Sequence, residues 1–143
     1  MQNKLDDLYG EVILDHCRTP RNHDFVDLAD RRAKGLNPFC GDEIHLQITL
    51  INGHISRVGI QSQGCSINRA SASMMSQAIE GKTHCEIEAL TLKFRAMMNG
   101  DALSEEGRKE LDELTVMAHV LEFPVRIKCA LLPWITLEDA FKD

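Results

Sequence analysis

Three cysteines and one aspartate stand where the chain passes from one kind of segment to another. Cys40 and Asp42 flank a glycine in a loop directly before a strongly alternating stretch. Cys65 follows Gly64 at the start of a segment rich in small residues, and Cys129 precedes an apolar segment near the C-terminus. Zinc sites take thiolate, imidazole and carboxylate ligands, usually four, and thiolates dominate iron–sulfur sites. Cys40, Asp42, Cys65 and Cys129 are therefore candidates for one thiolate-rich metal site.

The spacing of these residues leaves a plainer interpretation open. The chain contains no Cys-x-x-Cys pair, and a cysteine two residues from an acid is a common chance pattern. Free cysteine is often simply a small buried apolar side chain. Cys17, at the end of a predicted helix, and Cys85, in the first turn of another, are better candidates for this structural role than for metal binding.

The composition predicts one soluble domain over residues 1–143. A chain of this length can bury a core without disulfides, and five cysteines cannot all be paired. The net charge of −6 argues against a nucleic-acid partner, because phosphate binding requires a basic face. No apolar run approaches the roughly 18 residues of a membrane span, and the first residues are acidic rather than apolar. We expect a cytoplasmic protein with reduced thiols and no membrane partner.

Alternation of apolar and polar residues predicts a β-hairpin in the middle of the chain. The alternating stretch runs from Ile44 to Leu50, and Asn52-Gly53 is typical of a two-residue hairpin turn because both positions need positive φ. The return strand is expected to end at about Gln61. Residues 20–36 are polar and are expected to form a surface loop with a short first strand.

Apolar residues at helical spacing predict helices on both sides of this hairpin. Three of them are expected at about residues 4–16, 66–80 and 83–99, and a fourth from Ser104 to a break at Pro124. A terminal helix is expected to start at Pro133 or to be distorted by it. The order of elements predicts an α+β fold, in which a small antiparallel three-stranded sheet carries helices on one face.

Three motifs together resemble those of the IscU/NifU-N-like proteins of iron–sulfur cluster assembly. They are Asn37-Pro38-Phe39-Cys40-Gly41-Asp42, Gln63-Gly64-Cys65-Ser66 and Arg126-Ile127-Lys128-Cys129-Ala130, and Tyr9, Asp15-His16 and Pro20-Arg21-Asn22 also match the family pattern. The resemblance covers nearly the whole chain. It implies a SufE/NifU-like fold and a shared metal site formed by Cys40, Asp42, Cys65 and Cys129.

Two further features resemble the SufU branch of this family. Lys128 stands directly before the last cysteine, where IscU-type scaffolds have a histidine. Residues 93–113, roughly, resemble the extra segment typical of SufU. The Leu-Pro-Pro-Val-Lys signature that IscU offers its chaperone is absent from the sequence.

The SufU resemblance implies a zinc-dependent sulfurtransferase. It would bind Zn²⁺ and accept sulfur from a pyridoxal-phosphate cysteine desulfurase of the SufS type, for a downstream iron–sulfur assembly complex. Cys40 would leave the metal when a desulfurase side chain takes its place, and would then carry the sulfur. Arg126 would stabilise the thiolate or persulfide, with a surface salt bridge as the alternative role.

A second interpretation is a scaffold that assembles and transfers a [2Fe–2S] cluster on the same three cysteines, with iron in place of zinc. Asp42 would then be a harder and more weakly bound ligand among soft ones, which favours release of the cluster. Lys128 argues against this interpretation, because lysine is a poor replacement for a histidine ligand.

Overall fold

A computed structural model describes residues 4–39 and 41–142 of the chain, with side chains from residue 10 onward. It contains a sheet of three antiparallel strands in the order β1-β2-β3. Their bounds are Arg31–Asn37 for β1, Asp42–Ile51 for β2 and His54–Gln63 for β3. Asn52 and Gly53 both have positive φ between β2 and β3, so the predicted hairpin turn is confirmed.

The helices surround one face of this sheet. They are α1 (Lys4–Arg18), α2 (Ser66–Ala78), α3 (His84–Met98), α4 (Glu105–Leu111), a 3₁₀ helix (Asp112–Glu122) and α5 (Pro124–Ala140). Alternate residues of β2, among them Ile44 and Leu46, are buried, whereas His45 between them is exposed. The α+β fold with helices on one face is therefore confirmed.

Helix α5 packs directly on the first strand. A Cβ atom at Gly35 of β1 would lie 1.9 Å from Oγ1 of Thr136 on α5, so only glycine allows this close approach. The Trp134 ring stacks on Phe94 of α3, with ring centroids 4.5 Å apart, at the centre of the helical layer. These contacts fix α5, which carries Arg126 and Cys129, relative to the sheet.

Of the two predictions for the terminal helix, a start at Pro133 or a distortion by it, the start is wrong. Helix α5 begins at Pro124, where proline suits the first helical position, and continues through Pro133 to Ala140. Proline inside a helix lacks the N–H that would bond the carbonyl four residues earlier, here that of Cys129. The hydroxyl of Ser71 on α2 donates to the next carbonyl, that of Ala130, at 2.6 Å. This bond ties α2 to α5 one residue after the carbonyl that Pro133 leaves without its helical donor.

The segment between α3 and α5 is not the single helix that the sequence predicts. It divides at Asp112, which has a φ of 49°, into α4 and the 3₁₀ helix. The Glu113 carboxylate forms a hydrogen bond with Nε2 of the buried His16, whose Nδ1 lies 2.8 Å from Oγ of Ser73. His16 therefore connects α1 to α2 and to this segment.

Candidate metal centre

Asp42 is the first residue of β2, opposite Asn37 of β1, and it is buried. Gly64, directly after β3, lies so close to the Asp42 side chain that a Cβ at this position would be 2.0 Å from Oδ1 of Asp42. The φ of Gly64 is +125°, a value that residues with a side chain rarely adopt. Glycine is therefore required at position 64 if the Asp42 carboxylate is to keep its position.

Cys65 caps the N-terminus of α2 next to this carboxylate. Its backbone N–H donates to Oδ1 of Asp42 at 3.0 Å, and its Sγ lies 4.0 Å from Oδ2. The side-chain amide of Asn68 donates to the carbonyl of Gln63 at 3.2 Å and so connects the start of α2 to the end of β3. The positive end of a helix dipole favours negative charge at this position. The junction therefore holds the Cys65 sulfur next to the Asp42 carboxylate.

Cys129 approaches the same point from α5. It is fully buried and lies in the second turn of that helix. One ligand atom each from Asp42, Cys65 and Cys129 lies within 4.8 Å of the other two. Among residues 4–39 and 41–142, the fold thus brings together three of the four predicted ligands, although Asp42 and Cys129 are distant in sequence.

The donor set fits zinc. Tetrahedral Zn²⁺ with sulfur and oxygen ligands sets its ligand atoms about 3.5–3.8 Å apart, so the observed separations need little adjustment. Zn²⁺ accepts both thiolate and carboxylate, and two thiolates also suit an iron–sulfur cluster. This group of residues can hold a metal ion.

Cys40, the fourth predicted ligand, lies outside the described residues. On either side of it, the backbone N–H of Phe39 donates to Oδ1 of Asn37 at 3.3 Å and that of Gly41 donates to the Asn37 carbonyl at 2.9 Å. Gly41 has a φ of +72°, and no atom lies within 4 Å of the place where a Cβ would stand. The role of Cys40 as a ligand stays a prediction.

Arg126 and Lys128 extend from the same helix as Cys129, and both are exposed. The hydrogen bond that Arg126 donates to Cys129, with the negative charges of Cys65 and Cys129, raises the pKa of the Arg126 guanidinium. This cation therefore stands beside both sulfur atoms. The Lys128 ammonium instead lies 5.7 Å from the centroid of the Phe39 ring.

The other two cysteines stand apart from this group. Cys17 is half-buried at the end of α1, which agrees with a structural role. Cys85 is exposed in the first turn of α3, so the prediction that it is a buried apolar side chain is wrong.

Two supporting residues were not predicted, namely Gly64 as the neighbour of the Asp42 carboxylate and Asn68 as the tie between β3 and α2. The only sequence signal for them was their position around Cys65, one residue before it and three after it. That position indicates proximity to the site but not the contact that each residue makes.

A model of the NifU-like N-terminal domain matches residues 8–130 of the chain. The iron–sulfur cluster assembly scaffold protein IscU of Streptococcus pyogenes serotype M1 is 37% identical over 140 residues, covering 98% of this chain and 86% of that protein. The zinc-dependent sulfurtransferase SufU of Bacillus subtilis (strain 168) is 38% identical over 137 residues, covering 94% of this chain and 89% of that protein.

A crystal structure from Fervidobacterium islandicum AW-1 has the same fold. That protein is described as an iron–sulfur cluster assembly scaffold protein for the SUF system. Its TM-score is 0.86 at 32% sequence identity, covering 92% of this chain and 95% of that one. The chain belongs to the NifU-like N-terminal domain family, which includes IscU and SufU, and thus to the proteins of iron–sulfur cluster assembly.

Proposed function

We propose that this protein is a zinc-bound sulfur acceptor in iron–sulfur cluster assembly. It would take sulfur from the persulfide of a pyridoxal-phosphate cysteine desulfurase of the SufS type. The observation that carries the proposal is the convergence of one carboxylate and two cysteines within 4.8 Å, from β2, the start of α2 and α5. Asp42, Cys65 and Cys129 would hold the ion together with Cys40. Bound Zn²⁺ would keep the cysteine sulfurs deprotonated at neutral pH.

The transfer itself is a thiol–disulfide type of exchange. The Cys40 thiolate attacks the terminal sulfur of the desulfurase persulfide, a new S–S bond forms on Cys40, and the S–S bond on the desulfurase breaks. The desulfurase cysteine leaves as a thiolate, and the proton of the terminal sulfur moves with that sulfur to Cys40, so atoms and charge balance. Arg126 lies beside the sulfurs of Cys65 and Cys129 and supplies positive charge where anionic sulfur accumulates.

Exposed apolar side chains around the centre support a protein partner there. Leu36 is 60% exposed, Phe39 89%, Phe123 55% and Val125 77%. Leu36 and Phe39 stand on the two sides of Asn37, and the other two open the helix that carries Cys129. Large exposed apolar side chains are typical of a surface that another protein covers. The desulfurase would cover these side chains when it delivers sulfur.

Scaffold activity is the alternative, and the Streptococcus pyogenes relative is named as a scaffold. The position of Lys128 favours sulfur transfer. Its ammonium lies over the Phe39 ring, and a protonated amine offers no lone pair to a metal.

The metal content of the protein purified without added iron, followed by a desulfurase assay, tests the proposal. We expect about one zinc per chain and a strong increase in sulfide production from cysteine when the protein is added to a SufS-type desulfurase. Asp42→Ala should weaken zinc binding and reduce this activation. A coloured protein with an iron–sulfur charge-transfer band and no activation of the desulfurase would contradict it.

Arg126→Ala is expected to slow sulfur transfer about tenfold, because a charge-assisted hydrogen bond to the sulfur atoms is lost. Arg126→Lys keeps the charge but not the forked geometry, so it should recover part of the rate. Arg57→Ala, at an exposed arginine of β3, is the matched control and should leave the rate unchanged. If Arg126→Ala transfers sulfur at the wild-type rate, Arg126 has only a surface role.

We also propose that residues 1–143 act as one domain, in which about residues 93–113 form an added segment. Buried residues of α3, α4 and the 3₁₀ helix belong to the same hydrophobic cluster as those of the sheet, which supports a single folding unit. No helix among the described residues is long and apolar enough to cross a membrane. A cytoplasmic location would keep the thiols reduced, as sulfur transfer requires.

A further inference from the structure

Two cavities lie between helices α3 and α5 and form one groove. The first, of about 390 Å³, extends from His84 at the start of α3 to Phe141 just after α5. The second, of about 420 Å³, extends from Asn99 just after α3 to Ile127 near the start of α5. Leu92 lines both cavities, so they meet at the middle of α3. The two helices therefore run antiparallel along a groove about as long as α3, whose 15 residues span about 22 Å.

Apolar side chains are exposed along this groove. Leu92 of α3 is 71% exposed, and Ile135 of α5 is 41% exposed. Ile127 and Leu131 line the second cavity and pack partly against the core. Because these three residues of α5 recur at every fourth position, they form one stripe along the helix, and Ile135 extends the apolar wall. Exposed apolar side chains along a groove favour contact with an apolar surface of another chain.

Charged side chains of both signs border the apolar residues. Arg95 pairs with Glu138 across the groove, with Nη1 2.6 Å from Oε1, and Arg95 lines both cavities. Glu88 and Lys142 also line the first cavity, which therefore contains two carboxylates and two cations besides His84. Such a surface repels part of any purely acidic or purely basic partner, whereas it can complement a second surface that also carries both signs.

We infer that this groove is the contact surface between two copies of this chain, related by a two-fold axis that crosses the groove near Arg95. The axis sets Leu92 of each copy against the apolar wall of the other. It brings Lys142 of one copy towards Asp101, which lines the second cavity, of the other. Arg95 and Glu138 of both copies meet at the axis, where each cation lies between carboxylates. This contact goes beyond the proposed function, since the groove lies outside the candidate metal centre.

The net charge of the chain favours this place over the rest of the surface. Two copies with a charge of −6 each repel one another at long range. The repulsion is weakest where each copy presents equal numbers of carboxylates and cations, as the first cavity does. The groove is thus a region where two copies of an acidic chain can approach.

Sedimentation velocity of the reduced protein, from low to high micromolar concentration, tests the contact. We expect the average mass to rise with concentration from that of one chain, 16.1 kDa, to twice that value. Leu92→Asp should raise the dissociation constant at least about tenfold, because it buries an unpaired charge. Leu28→Asp, at a leucine that is 92% exposed outside the groove, is the matched control and should leave the constant unchanged. A mass that stays at 16.1 kDa at every concentration would overturn the inference.

A mixing experiment tests the arrangement at the axis. Arg95→Glu leaves only carboxylates at the two central positions, and Glu138→Arg leaves only cations there. Each variant alone should remain monomeric, because like charges face each other, whereas an equimolar mixture should form the dimer again. Single variants that dimerise as the wild-type protein does, or a mixture that stays monomeric, would overturn this arrangement.

Both central side chains are partly exposed, at 48% for Arg95 and 38% for Glu138, so the variants are expected to fold, and circular dichroism checks this. The experiments use neither zinc nor desulfurase. Failure of the dimer would therefore leave the sulfur-transfer proposal standing, and failure of sulfur transfer would leave the measured dimer intact.

Discussion

Cys40→Ala is expected to abolish sulfur transfer from the desulfurase, with a loss of about a thousandfold or more. The reason is chemical: without the Cys40 sulfur, no thiolate is positioned to form the new S–S bond, and removal of a nucleophile is among the largest losses known in enzymes. The measurement is transfer of labelled sulfur, with mass spectrometry of the persulfide on each cysteine. In the wild-type protein the label should appear on Cys40 first.

Cys85→Ala is the control for this prediction. Cys85 is exposed and lies outside the group that can hold a metal, so its loss should leave both transfer and zinc content unchanged. Label that appears on Cys65 or Cys129 in the Cys40→Ala protein, at the wild-type rate, would show that another cysteine receives the sulfur. Circular dichroism and the zinc content of each variant separate a lost nucleophile from a lost fold.

The sequence predicted those parts of the fold that depend on neighbouring residues. The Asn52-Gly53 turn is specified by two residues that accept positive φ, and the capping box of Thr83 and Glu86 starts α3 as expected. Alternation fixed the face of β2 that enters the core, because moving the pattern by one residue would bury His45. Each of these signals acts within a few residues.

The sequence could not predict features that depend on distant elements. Pro133 predicts a helix boundary locally, but packing of α5 against β1 and α3 outweighs that preference. The segment before α5 divides next to Glu113, whose carboxylate contacts His16 of the distant α1. Contacts between side chains that are distant in sequence become visible only in the folded chain.

The candidate metal site likewise has features that the sequence predicts and features that only the fold shows. Three of its ligands were named from residue type and their place at segment ends, and the fold brings them within 4.8 Å. Their support was not visible, because Gly64 meets Asp42 only when β2 and β3 pair. The sequence thus predicted three residues that the fold brings together, and the structure adds what positions them.

The support from Gly64 leads to the second prediction with a large effect. Gly64→Ala is expected to lower the free energy of unfolding of the metal-free protein by about 2–4 kcal/mol, the sum of backbone strain and overpacking. The added Cβ would lie 2.0 Å from Oδ1 and 2.9 Å from Cα of Asp42, so the carboxylate must move. Zinc affinity should fall about 10- to 100-fold, as it does when support of a metal ligand is lost.

Gly81→Ala separates the two causes. Gly81 also has positive φ, +76°, but no atom lies within 4 Å of the place where its Cβ would stand. It should therefore show the backbone strain alone, about 1–2 kcal/mol, with unchanged zinc affinity. Urea unfolding in the presence of a chelator measures the stability of both variants, and competition with a zinc indicator measures their affinity. If the two variants lose the same stability and keep the same affinity, the contact between Gly64 and Asp42 does not position the carboxylate for the metal.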